Sequence, residues 1–151
     1  MTESTAAPRP APVRPVPVPD ERSAGYWEAA RRGELALARC AGCGTFAHPP
    51  STVCPHCHTA DPDFTFVVVP GGGTVRSWTV IRDSFLPGFA DDVPFVLVDV
   101  ELDTQADLRL IGRLLDGPDA ALHQGDRVAI AFEHPTADVA VPAFRLEAVT
   151  P

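Results

Sequence analysis

Cys40-Ala41-Gly42-Cys43 and Cys54-Pro55-His56-Cys57 are two C-x2-C pairs with ten residues between them. Two residues between thiolates let the backbone turn tightly enough for both sulfurs to reach one ion, and two such knuckles supply four tetrahedral sulfurs. The spacing therefore predicts a structural zinc site built from Cys40, Cys43, Cys54 and Cys57. A catalytic zinc keeps an open position, and four thiolates leave none. One C-x2-C beside a βαβ pattern would suit redox chemistry, but a second pair argues against that use. By ligand type alone, an iron–sulfur centre fits the same four residues. His48, His56 and His58 lie close by and are expected to be surface or supporting groups, because four cysteines already complete the shell.

Upstream of the first knuckle, a short helix is expected over residues 22–32. Asp20 and Glu21 suit its start, Arg31 and Arg32 complement the dipole of its last turn, and Gly33 stops it. Tyr26, Trp27 and Ala30 then share one side. Leu35 to Arg39 reads as a short strand, alternating apolar and polar, that leads into Cys40. Before the helix, Pro8, Pro10, Pro12, Pro15, Pro17 and Pro19 favour extended polyproline and cannot close a core. Residues 1–20 are accordingly expected to be a disordered, solvated tail.

Downstream the pattern turns to strands. Phe66 to Val69 ends at Pro70-Gly71-Gly72-Gly73, a bend leading into the next strand. Thr74 to Arg82, Phe95 to Leu102, Arg109 to Leu115, Val128 to Phe132 and the stretch around Phe144 and Leu146 are strand candidates, separated by Gly, Pro and Asp. About five short strands in this space suggest a small closed barrel, since closure removes exposed edges. An oligonucleotide/oligosaccharide-binding (OB) barrel has this size, although periodicity alone also fits a small sandwich. The expected organisation is a mainly β chain: tail 1–20, helix plus zinc ribbon 21–63, and barrel 64–151.

The chain has 151 residues and a net charge of −8; all 12 basic residues are arginine. Without lysine there is no Schiff base and no lysine phosphate anchor. No stretch approaches the ~20 apolar residues of a membrane helix, and no basic-then-apolar leader opens the sequence. Cytoplasmic localisation without membrane contact is the resulting expectation. Residues 64–151 carry −7 of the charge. That balance argues against the alternative reading of a free-standing single-strand nucleic-acid binder, which needs a basic groove with stacking aromatics. Trp78, Phe85, Phe89 and Phe95 would have to stack the bases, whereas aromatics in β-rich segments are usually core. No nucleophile elbow, HExxH or phosphate-binding loop is present. Asp99, Glu101 and Asp103 fall on one strand face, which is expected to be wet.

From Tyr26 almost to the C terminus the chain resembles the domain-of-unknown-function thirty-five family. Tyr26-Trp27-Glu28-Ala29 through Gly33-Glu34-Leu35 looks like that family's helix and lead-in. Arg39-Cys40-Ala41-Gly42-Cys43-Gly44, His48-Pro49-Pro50 and Cys54-Pro55-His56-Cys57 look like its ribbon. Gly73-Thr74-Val75, Pro94-Phe95-Val96, Gly125-Asp126-Arg127-Val128 and Pro142-Ala143-Phe144 resemble its barrel landmarks. His58 departs from the pattern, which continues the second knuckle with Gly. The resemblance implies a rubredoxin-like zinc ribbon followed by a five-stranded OB-fold barrel. It also implies a non-catalytic accessory subunit that stabilises an acyl-CoA-processing partner and helps shape its CoA or acyl channel. The implied partner is a thiolase-fold enzyme: a thiolase, an acyltransferase, or an aldolase that shortens sterol side-chain CoA thioesters. A hydratase is a further implied partner. The implied assembly is a hetero-oligomer built on a partner dimer, with a CoA thioester as shared ligand.

Particular residues follow as contact candidates for that role. Trp27 and Phe46, with Pro49-Pro50, offer apolar docking surface, unless they pack within the chain's own ribbon and helix. Ser84-Phe85-Leu86-Pro87-Gly88-Phe89 is apolar yet loop-like, so Phe85 and Phe89 are candidates to meet a partner or acyl chain. Arg76 and Arg82 are expected on one strand face, where they would meet a CoA phosphate.

Overall fold

A computed structural model describes residues 13–148. The expectation for the first twelve residues of the tail lies outside the described residues. One helix, α1 (Ala24–Arg31), is followed by β1 (Leu35–Cys40), β2 (Phe46–Ala47) and β3 (Phe64–Val69). Then come β4 (Gly73–Ile81), β5 (Phe95–Leu102), β6 (Arg109–Leu114), β7 (Arg127–Thr136) and β8 (Val139–Leu146). The helix starts two residues later than expected. Asp20 instead builds the preceding turn: its carboxylate accepts from the Ser23 amide at 2.8 Å, and its carbonyl accepts from the Ala24 amide at 2.9 Å.

Strands β2, β1 and β3 form a small antiparallel sheet in that order. All six residues of β3 pair with β1, from Leu35 opposite Val69 to Cys40 opposite Phe64. The strand at Phe64–Val69 therefore pairs in the sheet of β1 and β2, and the closed barrel itself begins at Gly73. Hydrogen bonding decides this, because the apolar run of β3 fits either neighbour equally well. β1 also differs from the expected alternation. Leu35, Ala36, Leu37 and Ala38 are all buried, since a central strand covered on both faces takes small apolar residues where a half-exposed one takes polar residues.

The remaining strands close into a barrel in the order β4-β5-β6-β8-β7, with β7 returning to β4 through Gly73 opposite Val128. Every neighbouring pair is antiparallel except β6 and β8, whose parallel pairing at Arg113–Ala143 and Leu114–Phe144 completes the OB order. β5 shows the period of two that closure demands. Val96, Val98, Val100 and Leu102 point inward, while Phe95, Leu97, Asp99 and Glu101 point outward. Val75, Leu114, Val128 and Phe144 fill the centre. The apolar core does not stop at the barrel wall. Tyr26, Leu35, Leu37 and Val69 of the helix and ribbon sheet are continuous with it.

The outward carboxylates of β5 and the turn after it are wet but not free. Asp99 pairs with Arg109, Glu101 with Arg76, and Asp103 with Arg127, whose Nη1 lies 2.7 Å from the carboxylate. The Arg127 guanidinium holds the Asp103 carboxyl below its ordinary range. With Arg113 also matched, four of the barrel's six arginines sit against carboxylates.

Candidate functional site

The two cysteine knuckles repeat one backbone plan. The Cys40 amide donates to the Thr45 carbonyl and the Gly44 amide to the Cys40 carbonyl, at 2.9 and 2.8 Å. In the second knuckle the Cys54 amide donates to the Thr59 carbonyl and the His58 amide to the Cys54 carbonyl, both at 3.0 Å. The residue after each second cysteine must turn left-handed to close this loop. Gly44 does so at φ +74° without strain, and His58 does so at φ +59° with a side chain attached.

That plan gathers all four sulfurs within 4.8 Å of one another. Cys40 and Cys57 lie 3.9 Å apart, and Cys43 and Cys54 lie 3.8 Å apart. A tetrahedron with zinc–sulfur bonds of 2.3 Å has edges of about 3.8 Å, whereas a disulfide needs sulfurs about 2.05 Å apart. The donor set thus fits a structural zinc ion. The threonine after each turn supports it. Thr45 Oγ1 lies 2.6 Å from Cys43 Sγ, and Thr59 Oγ1 lies 3.3 Å from Cys57 Sγ. A thiolate only accepts, so these hydroxyls donate. The Thr59 hydroxyl and amide bring the Cys57 thiol down to about 6, and the Thr45 hydroxyl and amide move Cys43 in the same direction. Cys40 and Cys54 are buried while Cys43 and Cys57 are exposed, so the centre sits at the ribbon's edge.

A second feature lies on the outer face of the barrel. The 82–94 loop between β4 and β5 overhangs a groove of about 500 Å³ floored by Leu97, Ile111 and Pro142 and walled by Phe89 and Phe95. Phe85 stands 98% exposed on the loop, and Ile111 is 66% exposed on the floor. Beside the groove are two arginines and two carboxylates. Arg113 lies 3.2 Å from Glu133 and 3.4 Å from Asp92, with its guanidinium 4.9 Å above the Phe95 ring. Arg14 reaches the same two acids from the other side.

Of the contact candidates read from the sequence, the structure brings together only Phe85 and Phe89. Trp27 stacks edge-on against Tyr26 and packs on the core from α1. Phe46 sits at the seam between ribbon and barrel, partly buried against the core. Arg76 is occupied by Glu101. It also falls at a bulge between Val75 and Ser77, which breaks the alternation, and Arg82 lies beyond the last residue of β4. The shared face expected for this pair is therefore absent. Trp78 is 42% exposed rather than core. Sequence reasoning missed Arg14, Asp92, Arg113 and Glu133. Arg113 on β6 and Glu133 on β7, with β8 between them, hold strand positions that alternation could have marked as outward. Arg14 sits in a proline-rich stretch that carries no such signal.

Comparison with known proteins gives consistent matches. Residues 27–63 match the model described as "ChsH2, rubredoxin-like zinc ribbon domain", and residues 66–133 match "ChsH2, C-terminal OB-fold domain". A Thermomonospora curvata protein named "Probable enoyl-CoA hydratase alpha subunit" is 33% identical over 144 residues, which is 95% of this chain and 43% of the relative. The chain thus spans less than half the length of that curated relative. Among solved structures, a chain of the "Ltp2-ChsH2(DUF35) aldolase" superposes with a TM-score of 0.72 at 32% identity, covering 86% of this chain and 98% of that one. A DUF35-family protein of unknown function from Sulfolobus solfataricus superposes with a TM-score of 0.58 at 15% identity, covering 84% and 86%, and supports the fold alone.

Proposed function

Since this chain belongs to the ChsH2 branch of the DUF35 family, we propose that it is a non-catalytic accessory subunit of an acyl-CoA-processing enzyme. The partner is a thiolase-fold protein, in particular an aldolase acting on CoA thioesters, with a hydratase as a further member of the assembly. The observation that carries this reading is the 82–94 loop and its groove. A phenylalanine held almost wholly in water above an apolar floor is costly to leave uncovered, by about 1.5–3 kcal/mol for the side chain alone. Aromatic anchors of this kind concentrate interface energy. The ribbon contributes stability through its four-thiolate centre, and the partner supplies the chemistry. Phe85 and Phe89 are the proposed contacts to the partner or to an acyl chain passing between the subunits, while Trp27 and Phe46 serve the subunit's own packing.

Co-expression with the thiolase-fold enzyme encoded nearest in the source genome tests this. The two chains should co-purify, and Phe85→Asp should abolish co-purification while zinc content stays at one per chain. Separate elution of the unmodified pair, at concentrations where each chain is folded, would overturn the reading.

A further inference from the structure

The segment ahead of α1 is largely exposed, as its composition suggests, with Val13 and Val18 in water. Arg14 and Pro17, however, rest against the folded body. The Arg14 guanidinium stacks 4.7 Å from the centre of the Phe89 ring. Its Nη2 donates to Glu133 at 3.3 Å, and its Nη1 lies 3.6 Å from Asp92. Arg113 mirrors this on the neighbouring Phe95 ring, 6.2 Å from that of Phe89. Two arginines and two carboxylates make a neutral quartet. Without Arg14, it would retain one uncompensated negative charge beside an apolar groove.

The backbone adds a second tie. Gly88 lies in the left-handed region at φ +77°, and a Cβ there would collide with the Arg14 amide nitrogen and stand 2.5 Å from its Cα. Only glycine admits so close an approach. Further along, Pro17 and Pro19 line a cavity of about 350 Å³ with Trp27 of α1 and with Val139 and Ala140 of β8. The 82–94 loop, by contrast, has few bonds of its own. Phe89 to Leu86 at 3.4 Å and Asp92 to Phe89 at 3.0 Å are its backbone hydrogen bonds among the described residues, and both are local turns. A loop of this kind takes its conformation from whatever ties it down. The family models begin at Trp27, after this segment, whereas the match to the Thermomonospora curvata protein, at 95% of the chain, includes it.

We propose that Val13–Pro19 is a built-in strap that sets the conformation of the 84–92 loop, with Arg14 as the positioning residue. Docked on Phe89, Asp92 and Glu133, it holds the loop over the groove so that Phe85 projects outward. The prolines keep the strap extended before it docks, which reduces the entropy lost on ordering. This positioning is independent of which partner meets the loop.

Hydrogen exchange read by mass spectrometry on the full zinc-bound chain tests it, comparing the unmodified protein with Arg14→Ala and Arg14→Lys. Arg14→Ala should speed exchange at the hydrogen-bonded amides of Phe89 and Asp92 by roughly tenfold or more, as expected for loss of charge-assisted bonds, while β5 and β6 keep their rates. Arg14→Lys retains the charge but not the planar fork, and should fall between the two. Unchanged exchange in 84–92 in the alanine variant would overturn the strap. So would a rise spread evenly over β5 to β8, which would mark Arg14 as a general stability residue. Neither failure touches co-purification through Phe85, so the two readings fail separately.

Discussion

The side-chain amide of Gln105 grips the backbone of Phe46 at both ends: its oxygen accepts from the Phe46 amide at 2.8 Å, and its nitrogen donates to the Phe46 carbonyl at 3.1 Å. Gln105 sits in the turn between β5 and β6, so a barrel residue acts as an extra strand neighbour for the two-residue β2 of the ribbon. Replacing it with alanine strands both backbone groups in a partly buried seam. Gln105→Ala should lower stability by about 1–3 kcal/mol, measured by urea denaturation. Gln105→Glu keeps the acceptor, loses the donor and should fall between.

Zinc is expected at one ion per chain by elemental analysis. Cys54 is one of the two buried ligands, and Cys54→Ser should reduce bound zinc to near zero. Because a structural site binds in the folded state and not in the unfolded one, a strong chelator should lower the thermal midpoint of the unmodified protein. A metal-free chain with an unchanged midpoint would contradict the assignment.

His58 occupies the left-handed position that Gly44 fills in the first knuckle. His58→Gly relieves a side-chain clash in the folded state and should stabilise the zinc-bound chain by about 1 kcal/mol. The gain offsets the greater freedom of glycine in the unfolded chain. Denaturation midpoints of the two proteins decide the sign.

His48 packs on the Tyr26 ring at 4.9 Å, and burial lowers its affinity for a proton below the ordinary 6.5. The unfolded chain then binds a proton at a higher pH than the folded one. The contribution of His48 to stability is complete above pH 6.5 and is lost as pH falls below it. His48→Phe keeps a ring against Tyr26 without a titrating group. Its unfolding free energy should fall less steeply between pH 6.5 and 5 than that of the unmodified protein.

Much of this was legible in the sequence for simple physical reasons. The metal centre was readable because its geometry is local: each knuckle closes within a few residues of its cysteines. The strands of the barrel showed through alternation, as in Phe95 to Leu102. What sequence could not place depends on long-range hydrogen bonding and packing. β3 is apolar enough for either sheet, and only its pairing with Leu35 to Cys40 places it beside β1 rather than in the barrel. Arg76 and Arg82 share a phase on paper, yet one bulge removes it. Arg14 meets Glu133 across 119 residues, a contact to which no local pattern points.

The core shared by Tyr26, Leu35, Leu37 and Val69 with the barrel ties the supply of metal to the supply of usable protein. A chain made under zinc starvation would lose its ribbon and, with it, one wall of the interior that Val75 and Phe144 fill. The result would be a molecule that fails as a whole, not a barrel that lingers without its ribbon and offers a misshapen groove. Cellular zinc would thereby set the number of competent copies while leaving the quality of each one unchanged.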